Sequence, residues 1–255
     1  MLGIPRHFAA PDSVELLPGF WRDHVERNRT VGIPRLYERL EAHGVVDNFR
    51  RLAGRHEGPR RGLWFTDSDL YKWMEAAAWS RDDALDEVVS VVLGAQSDDG
   101  YLNTNFDIDH RFADLSWSHE LYCAGHFIQA AIARSRAQGR DDLLDGACRF
   151  ADLIADEWAP GGRDDRDHHP VIEMALVELY RATGTARYLD LAARLCDLVP
   201  WESWSRLSGH AVCALYFASG LTDVAIEMDE VPRAEAQAAP ARGVTAHLTV
   251  RSPAK

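Results

Sequence analysis

Eight residues, His119-Glu-Leu-Tyr-Cys-Ala-Gly-His126, carry two imidazoles, a carboxylate, a phenol and a thiol, and an apolar run from Phe127 to Ala133 follows them. Imidazole and carboxylate groups exchange protons near neutral pH, and every polar group of the set can hydrogen-bond a hydroxylated ligand. On a helix His119, Cys123 and His126 stand at i, i+4 and i+7 and share one face. They make a nominal zinc set, but i and i+7 lie two turns apart, which opposes convergence on one ion. No metal ligand and no catalytic residue is therefore assigned, and Cys123 is read as a small core thiol.

Other groups could serve as binding residues. His169 has Glu173 one helical turn on, placed to orient it, and His210 opens another helical segment. Asp67 and Asp69 begin a helix, where a carboxylate satisfies free N–H groups and the helix dipole. Capping accounts for one of the pair and leaves Asp69 as an acceptor for ligand hydroxyls. Asp98 and Asp99 before Gly100 read as turn residues, with Tyr101 and Asn103 behind them placed to line a site. Of Trp64, Trp73, Trp79 and Trp117, one is expected to face a ligand and the others the core. Lys72 and Arg50 are expected in ion pairs within the helical layer.

The elements that must position these groups are helices. The pattern predicts Arg22 to Ala42 with a bend at Pro34, Val45 to Leu52, a helix capped by Thr66 or Asp67, and Asp83 to Gln96. Beyond the turn-rich Asp98 to Thr104 come Trp117 to Gln138, Asp141 to Trp158, Val171 to Thr183, Ala186 to Leu198 and Gly209 to Ser219. Gly139, Gly184 and Gly220 are placed as C-caps. Strand signals are confined to the Ser13 to Leu17 lead-in and to the alternating Val244 to Val250, which could pair with it.

The chain has 255 residues, 46% hydrophobic and 27% charged, enough for one large domain with a substantial core. A net charge of −12 without a basic stripe argues against nucleic acid, and points to a small partner that is uncharged or cationic. No run approaches the roughly 18 apolar residues of a membrane span, and Met1 to Pro11 does not resemble a signal peptide, so a cytoplasmic location is expected. Four cysteines without a Cys-x-x-Cys pair fit reduced core thiols.

Arg136 to Ile154 aligns without gaps on Arg181 to Val199, each a helix end, a glycine turn and a second helix, and Leu179 to Gly184 recurs as Leu215 to Gly220. Repeated helical hairpins bury a continuous core only by stacking, as an open solenoid or a closed α/α toroid. The hairpin length and the polar aromatic loops favour the toroid, whose inner helix ends form a bowl.

Gly19-Phe-Trp21, Asp47-Asn-Phe-Arg50, Asp67-Ser-Asp-Leu-Tyr-Lys-Trp73, Asp99-Gly-Tyr-Leu-Asn-Thr104, the His119 to His126 stretch, His169-Pro-x-Ile-Glu173 and Gly209-His-Ala-Val212 stand in the order of the landmarks of one family. From about residue 13 to 226 the chain resembles glycoside hydrolase family 127, the β-L-arabinofuranosidases. The resemblance implies an all-α (α/α)6 toroid that hydrolyses non-reducing terminal β-L-arabinofuranosides with retention, through a zinc-bound cysteine thiolate and an acid/base glutamate. It also implies that His119 hydrogen-bonds sugar hydroxyls, with His169 similar; Asp69, Tyr101, Asn103, His126, Glu173 and His210 are read beside them as further substrate-binding positions.

In the family the acid/base glutamate, the zinc ligands and the nucleophile lie beyond the Gly-His-Ala-Val helix, and no Glu-x-Cys or Cys-Cys pair occurs here. The reading is thus an extended lead-in over 1–21, an incomplete toroid over 22–230 and an Ala/Pro-rich, disordered tail over 231–255. No zinc and no activity of the chain alone are expected. An apolar seam where further hairpins would pack implies a homo-oligomer or poor solubility. Two alternatives stay open: a non-catalytic remnant that binds sugar or a partner, and a different α/α-toroid enzyme such as a uronyl hydrolase or epimerase.

Overall fold

The computed structural model describes residues 15–200 and 209–228, and among them every regular element is helical. The Val231 tail and the Val244 to Val250 segment lie outside the described residues. The chain opens with α1 (Phe20–Arg27), a π turn (Asn28–Gly32) and α2 (Ile33–Ala42). The expected bend at Pro34 is replaced by this π turn just upstream. Pro34 sits near the start of α2 and has no N–H for the carbonyl of Thr30, and the backbone widens there instead.

The remaining helices are α3 (Val45–Leu52), α4 (Asp67–Ser80), α5 (Leu85–Ala95), α6 (Glu120–Gln138), α7 (Asp142–Glu157), α8 (Ile172–Thr183), α9 (Ala186–Asp197) and α10 (Ala211–Glu227). They form two layers. α4, α6, α8 and α10 pack side by side in chain order, and α3, α5, α7 and α9 form a second row against them. This alternation is α/α-toroid-like, and the α6–α7 and α8–α9 hairpins are the two copies of the sequence repeat. None of the described helices is long and apolar enough to cross a membrane.

Gly139 (φ 65°) and Gly184 (φ 73°) close α6 and α8 in the left-handed conformation a C-cap requires. Gly220 does not cap. α10 runs on to Glu227, and a Cβ at Gly220 would lie 2.8 Å from Glu173 Cβ and 3.0 Å from Met174 N. The missing side chain lets α10 press against the start of α8.

α6 is buried on nearly every side, with Ala124, Ala130, Ala131 and Ala133 giving close approach and Phe127 and Ile128 filling the space between layers. Burying each large side chain contributes about 1.5–3 kcal/mol. The predicted α4 stripe of Leu70, Trp73, Met74 and Ala77 is likewise buried. Arg134 is buried on α6 because its guanidinium meets Asp142 at 2.7 Å and Asp86 at 2.8 Å.

Candidate functional site

The starts of α4, α6, α8 and α10, the inner row, lie together, and the polar rings gather there. Tyr122, one turn into α6, is the centre. Its ring lies 4.5 Å from His169, 4.7 Å from His126 and 5.6 Å from His119, centroid to centroid. His169 in turn lies 5.7 Å from His210 and 6.0 Å from Tyr216, and His168 stands 6.0 Å from His119. The segment before α6, the loop before α8 and the start of α10 each contribute a ring.

His119 is not the first residue of a continuous helix. It takes a left-handed conformation (φ 53°) immediately before α6, which an L residue other than glycine adopts at a cost. The turn swings its ring beside Phe65 and Trp64. Its Nδ1 lies 2.9 Å from Trp117 O and 3.3 Å from Trp64 Nε1. One nitrogen either donates to the carbonyl or accepts from the indole, so the two contacts belong to the two tautomers. Nε2 is an acceptor in one and a donor in the other.

Lys72 of α4 donates to the Tyr122 hydroxyl at 2.6 Å and to Ser68 Oγ at 3.2 Å. The expected ion pair is absent among its described contacts, whereas Arg50 does pair, with Glu41 and Asp47 at 2.7 and 2.9 Å. The phenol oxygen that accepts from Lys72 keeps its own hydrogen to donate. Buried His126 is pulled down to about 3 by desolvation, reinforced by the charges of Lys72 and His169, so it is a neutral ring at any ordinary pH. Its Nε2 has no partner among the described atoms. Burial also lowers His169, against the carbonyl of Pro170 that accepts from its Nδ1 at 3.0 Å.

Two buried carboxyls stand behind the rings. Asp167 accepts from His169 N at 2.9 Å and from Tyr122 N at 3.1 Å, and burial raises it to about 7 despite those donors. Glu173 is 5% exposed and is likewise pushed up to about 7 by burial, with the charge of Asp167 adding. The expectation that Glu173 orients His169 is corrected, because Pro170 O takes the His169 proton.

Three further expectations change. Tyr101 is a core residue: it is 2% exposed, packs on Phe112 and Phe150, and gives its hydroxyl to buried Glu120. Asn103 is buried, and its Oδ1 accepts from Asn105 N at 2.8 Å within its own loop. Asp67 neither caps α4 nor faces a ligand; it is fully buried and accepts from Thr104 N at 2.6 Å and from the Thr104 hydroxyl. Asp69 is exposed on the first turn of α4 and lines a cleft of about 640 Å³ with Leu40, Thr66 and Lys72. Lys72 joins that cleft to the ring cluster.

The tryptophans divide unevenly. Trp73 is core, donating to Ile33 O at 3.0 Å. Trp64 and Trp117 meet edge to face at 5.7 Å and line a cavity of about 500 Å³ beside His119. Sequence reasoning did not single out Tyr122, Lys72, His168 or Tyr216 as site residues. Tyr122 had a signal, since it stands four residues before His126 on the same face.

The zinc implied by the resemblance can be tested against the donors present. Cys123 is wholly buried and its thiol faces Phe65 O at 3.7 Å, away from any shared centre with His119 and His126. The described donors that converge are instead His169, His210 and Cys213, whose ligand atoms lie within 4.8 Å of one another. Cys213 is half-buried at this site and is not the core thiol expected. Two imidazoles and a thiol suit zinc, which when bound holds a thiol as thiolate and polarises an attached oxygen.

Comparison with known proteins identifies relatives of the whole array. A non-reducing end β-L-arabinofuranosidase of Bifidobacterium longum subsp. longum is 37% identical over 175 residues, covering 62% of this chain and 26% of that protein. The solved GH127 β-L-arabinofuranosidase of Geobacillus stearothermophilus T6 superposes with a TM-score of 0.87 at 31% identity, over 91% of this chain and 45% of that one. A second solved GH127 β-arabinofuranosidase gives 0.81 at 32% identity, over 90% and 41%. The chain thus spans under half the length of these relatives. The β-L-arabinofuranosidase GH127 catalytic-domain profile matches residues 13–249, and this places the chain in the GH127 glycoside hydrolase family.

Proposed function

We propose that this chain supplies the sugar-recognising wall of a β-L-arabinofuranosidase bowl, binding the non-reducing terminal β-L-arabinofuranosyl unit without hydrolysing the glycoside by itself. The observation that carries the reading is the cluster of Tyr122, His119, His126, His169 and His210. The imidazoles and the phenol offer donors and acceptors to the hydroxyls of a neutral sugar. Trp64 and Trp117, beside His119, give apolar faces for the rest of an oligosaccharide.

Hydrolysis with retention calls for a nucleophile and an acid/base group about 5 Å apart across the scissile bond. Of the carboxyls beside the cluster, Asp167 holds two backbone N–H groups, and Glu173 is buried behind the rings with one oxygen unpartnered among the described atoms. That supports recognition by this chain alone and not turnover. α10 leaves Val212 and Leu215 exposed at i and i+3, which supports self-association of two copies, measurable by light scattering.

Saturation-transfer NMR with methyl β-L-arabinofuranoside tests the reading. Binding that His169→Ala removes is expected, together with no release of p-nitrophenol from p-nitrophenyl β-L-arabinofuranoside in the presence of zinc and reductant. A folded chain blind to the sugar would sink the recognition claim. Turnover abolished by His119→Ala would overturn the claim that the chain does not hydrolyse.

A further inference from the structure

We infer that His169, His210 and Cys213 form a three-ligand zinc site at the junction of the loop before α8 and the first turn of α10. The set differs from the glutamate and paired cysteines that the resemblance implies, and it goes beyond sugar recognition.

The argument begins with the ring nitrogens. The Pro170 carbonyl can only accept, so the His169 Nδ1 at 3.0 Å carries the proton and Nε2 presents its lone pair. A backbone carbonyl on the far nitrogen is the arrangement that orients a metal-binding imidazole. His169 is only 8% exposed, so this lone pair stands in a place where water competes poorly for it.

His210 is the N-cap of α10, and Cys213 follows at i+3, so both project from the same face of the first turn. The His210 Nδ1 accepts from Val212 N at 3.2 Å, a long bond for a cap. Ligation through Nδ1 exchanges that bond for one to the metal, and ligation through Nε2 shifts the ring proton to Nδ1, so either route replaces this long cap bond with the metal bond.

The donor atoms lie within 4.8 Å of one another. In a tetrahedral shell with Zn–N about 2.0 Å and Zn–S about 2.3 Å, two nitrogens and a sulfur sit about 3.3–3.5 Å apart. The trio closes by about 1 Å through side-chain rotation, since His210 and Cys213 are not locked in the core. Three protein ligands leave a fourth position open to water or to a hydroxyl of a molecule resting on the ring cluster.

The metal-free 255-residue chain titrated with Zn²⁺ against a chromophoric chelator should bind one equivalent, and Co²⁺ should give the intense near-ultraviolet band of a thiolate ligand. Cys213→Ser should abolish that band and weaken zinc at least about tenfold. His210→Asn keeps an N-capping side chain and removes the imidazole, so the same weakening in a fully folded variant would support the site. Cys148→Ser, on the second row of helices, should change neither reading. Failure to bind zinc, or a cobalt band that survives Cys213→Ser, would overturn the assignment. None of these readouts depends on sugar, so a failure of the zinc site is told apart from a failure of recognition, although His169 and His210 serve one role at a time.

Discussion

Lys72 Nζ lies 2.6 Å from the Tyr122 hydroxyl, so a cation from α4 is held against the ring that α6 places at the centre of the cluster. The charge acts on His126 behind it. Burial is the leading cause of the low His126 pKa, about 3, and Lys72 is the next. Lys72→Met should therefore raise the His126 pKa while leaving it below the ordinary 6.5, which an NMR titration of its ring protons resolves. An unchanged value would mean that Lys72 does not reach this ring electrostatically.

The buried carboxyls set an opposite pH dependence. Glu173 has a folded pKa raised from 4.5 to about 7, so between those values the native state holds a proton that the unfolded chain releases. Its contribution favours folding at low pH and is lost as pH rises through about 7. Glu173→Gln should stabilise the fold at pH 8.5, by on the order of 1–3 kcal/mol, and change it little at pH 4.5. Urea melts at the two pH values check this. Depressed His126 and His169 pull the other way, losing stability as pH falls below the ordinary histidine range.

His119 stands in the left-handed region, where an L side chain costs roughly 1 kcal/mol and glycine costs little. His119→Gly should accordingly be more stable than His119→Ala by about 1 kcal/mol, although both lose the ring. Sugar binding should fall equally in both. Equal stabilities would place the strain elsewhere.

Gly220→Ala should destabilise the fold by about 1–3 kcal/mol even though alanine favours helix, because the new Cβ meets the α8 backbone. The same displacement moves α10, so zinc affinity at His210 and Cys213 should fall with it. Chemical denaturation and the chelator titration report the two effects independently.

Much of this arrangement could be read from the residues alone. The Arg136 and Arg181 repeats gave the hairpins, and the periodic stripes gave nearly every helix within a few residues. What failed were inferences from a residue's usual role. Gly220 looks like a cap because glycine commonly ends helices, but a close helix crossing also demands it. Tyr101 and Asn103 sit in a polar loop, yet that loop folds under the array, where Glu120 takes the phenol. Asp67 has the sequence position of a cap and the burial of a core anchor. Within the ring cluster, His119, His126, His169 and His210 were named from sequence. The Lys72 to Tyr122 contact spans fifty residues, and no local pattern encodes it. The His169, His210 and Cys213 convergence is equally non-local and depends on how closely α10 approaches α8.

The shared direction of the inner row gives the cluster a field of its own. Each helix start carries roughly half a positive elementary charge on its unpaired N–H groups, and α4, α6, α8 and α10 all begin around the rings. The chain as a whole carries −12, yet these helix starts and Lys72 bring positive partial charge to the rings, in front of the buried carboxyls of Asp167 and Glu173. The helix-start N–H groups and the Lys72 ammonium favour a neutral polyol, or an oxygen bearing developing negative charge, over a cationic ligand at the rings.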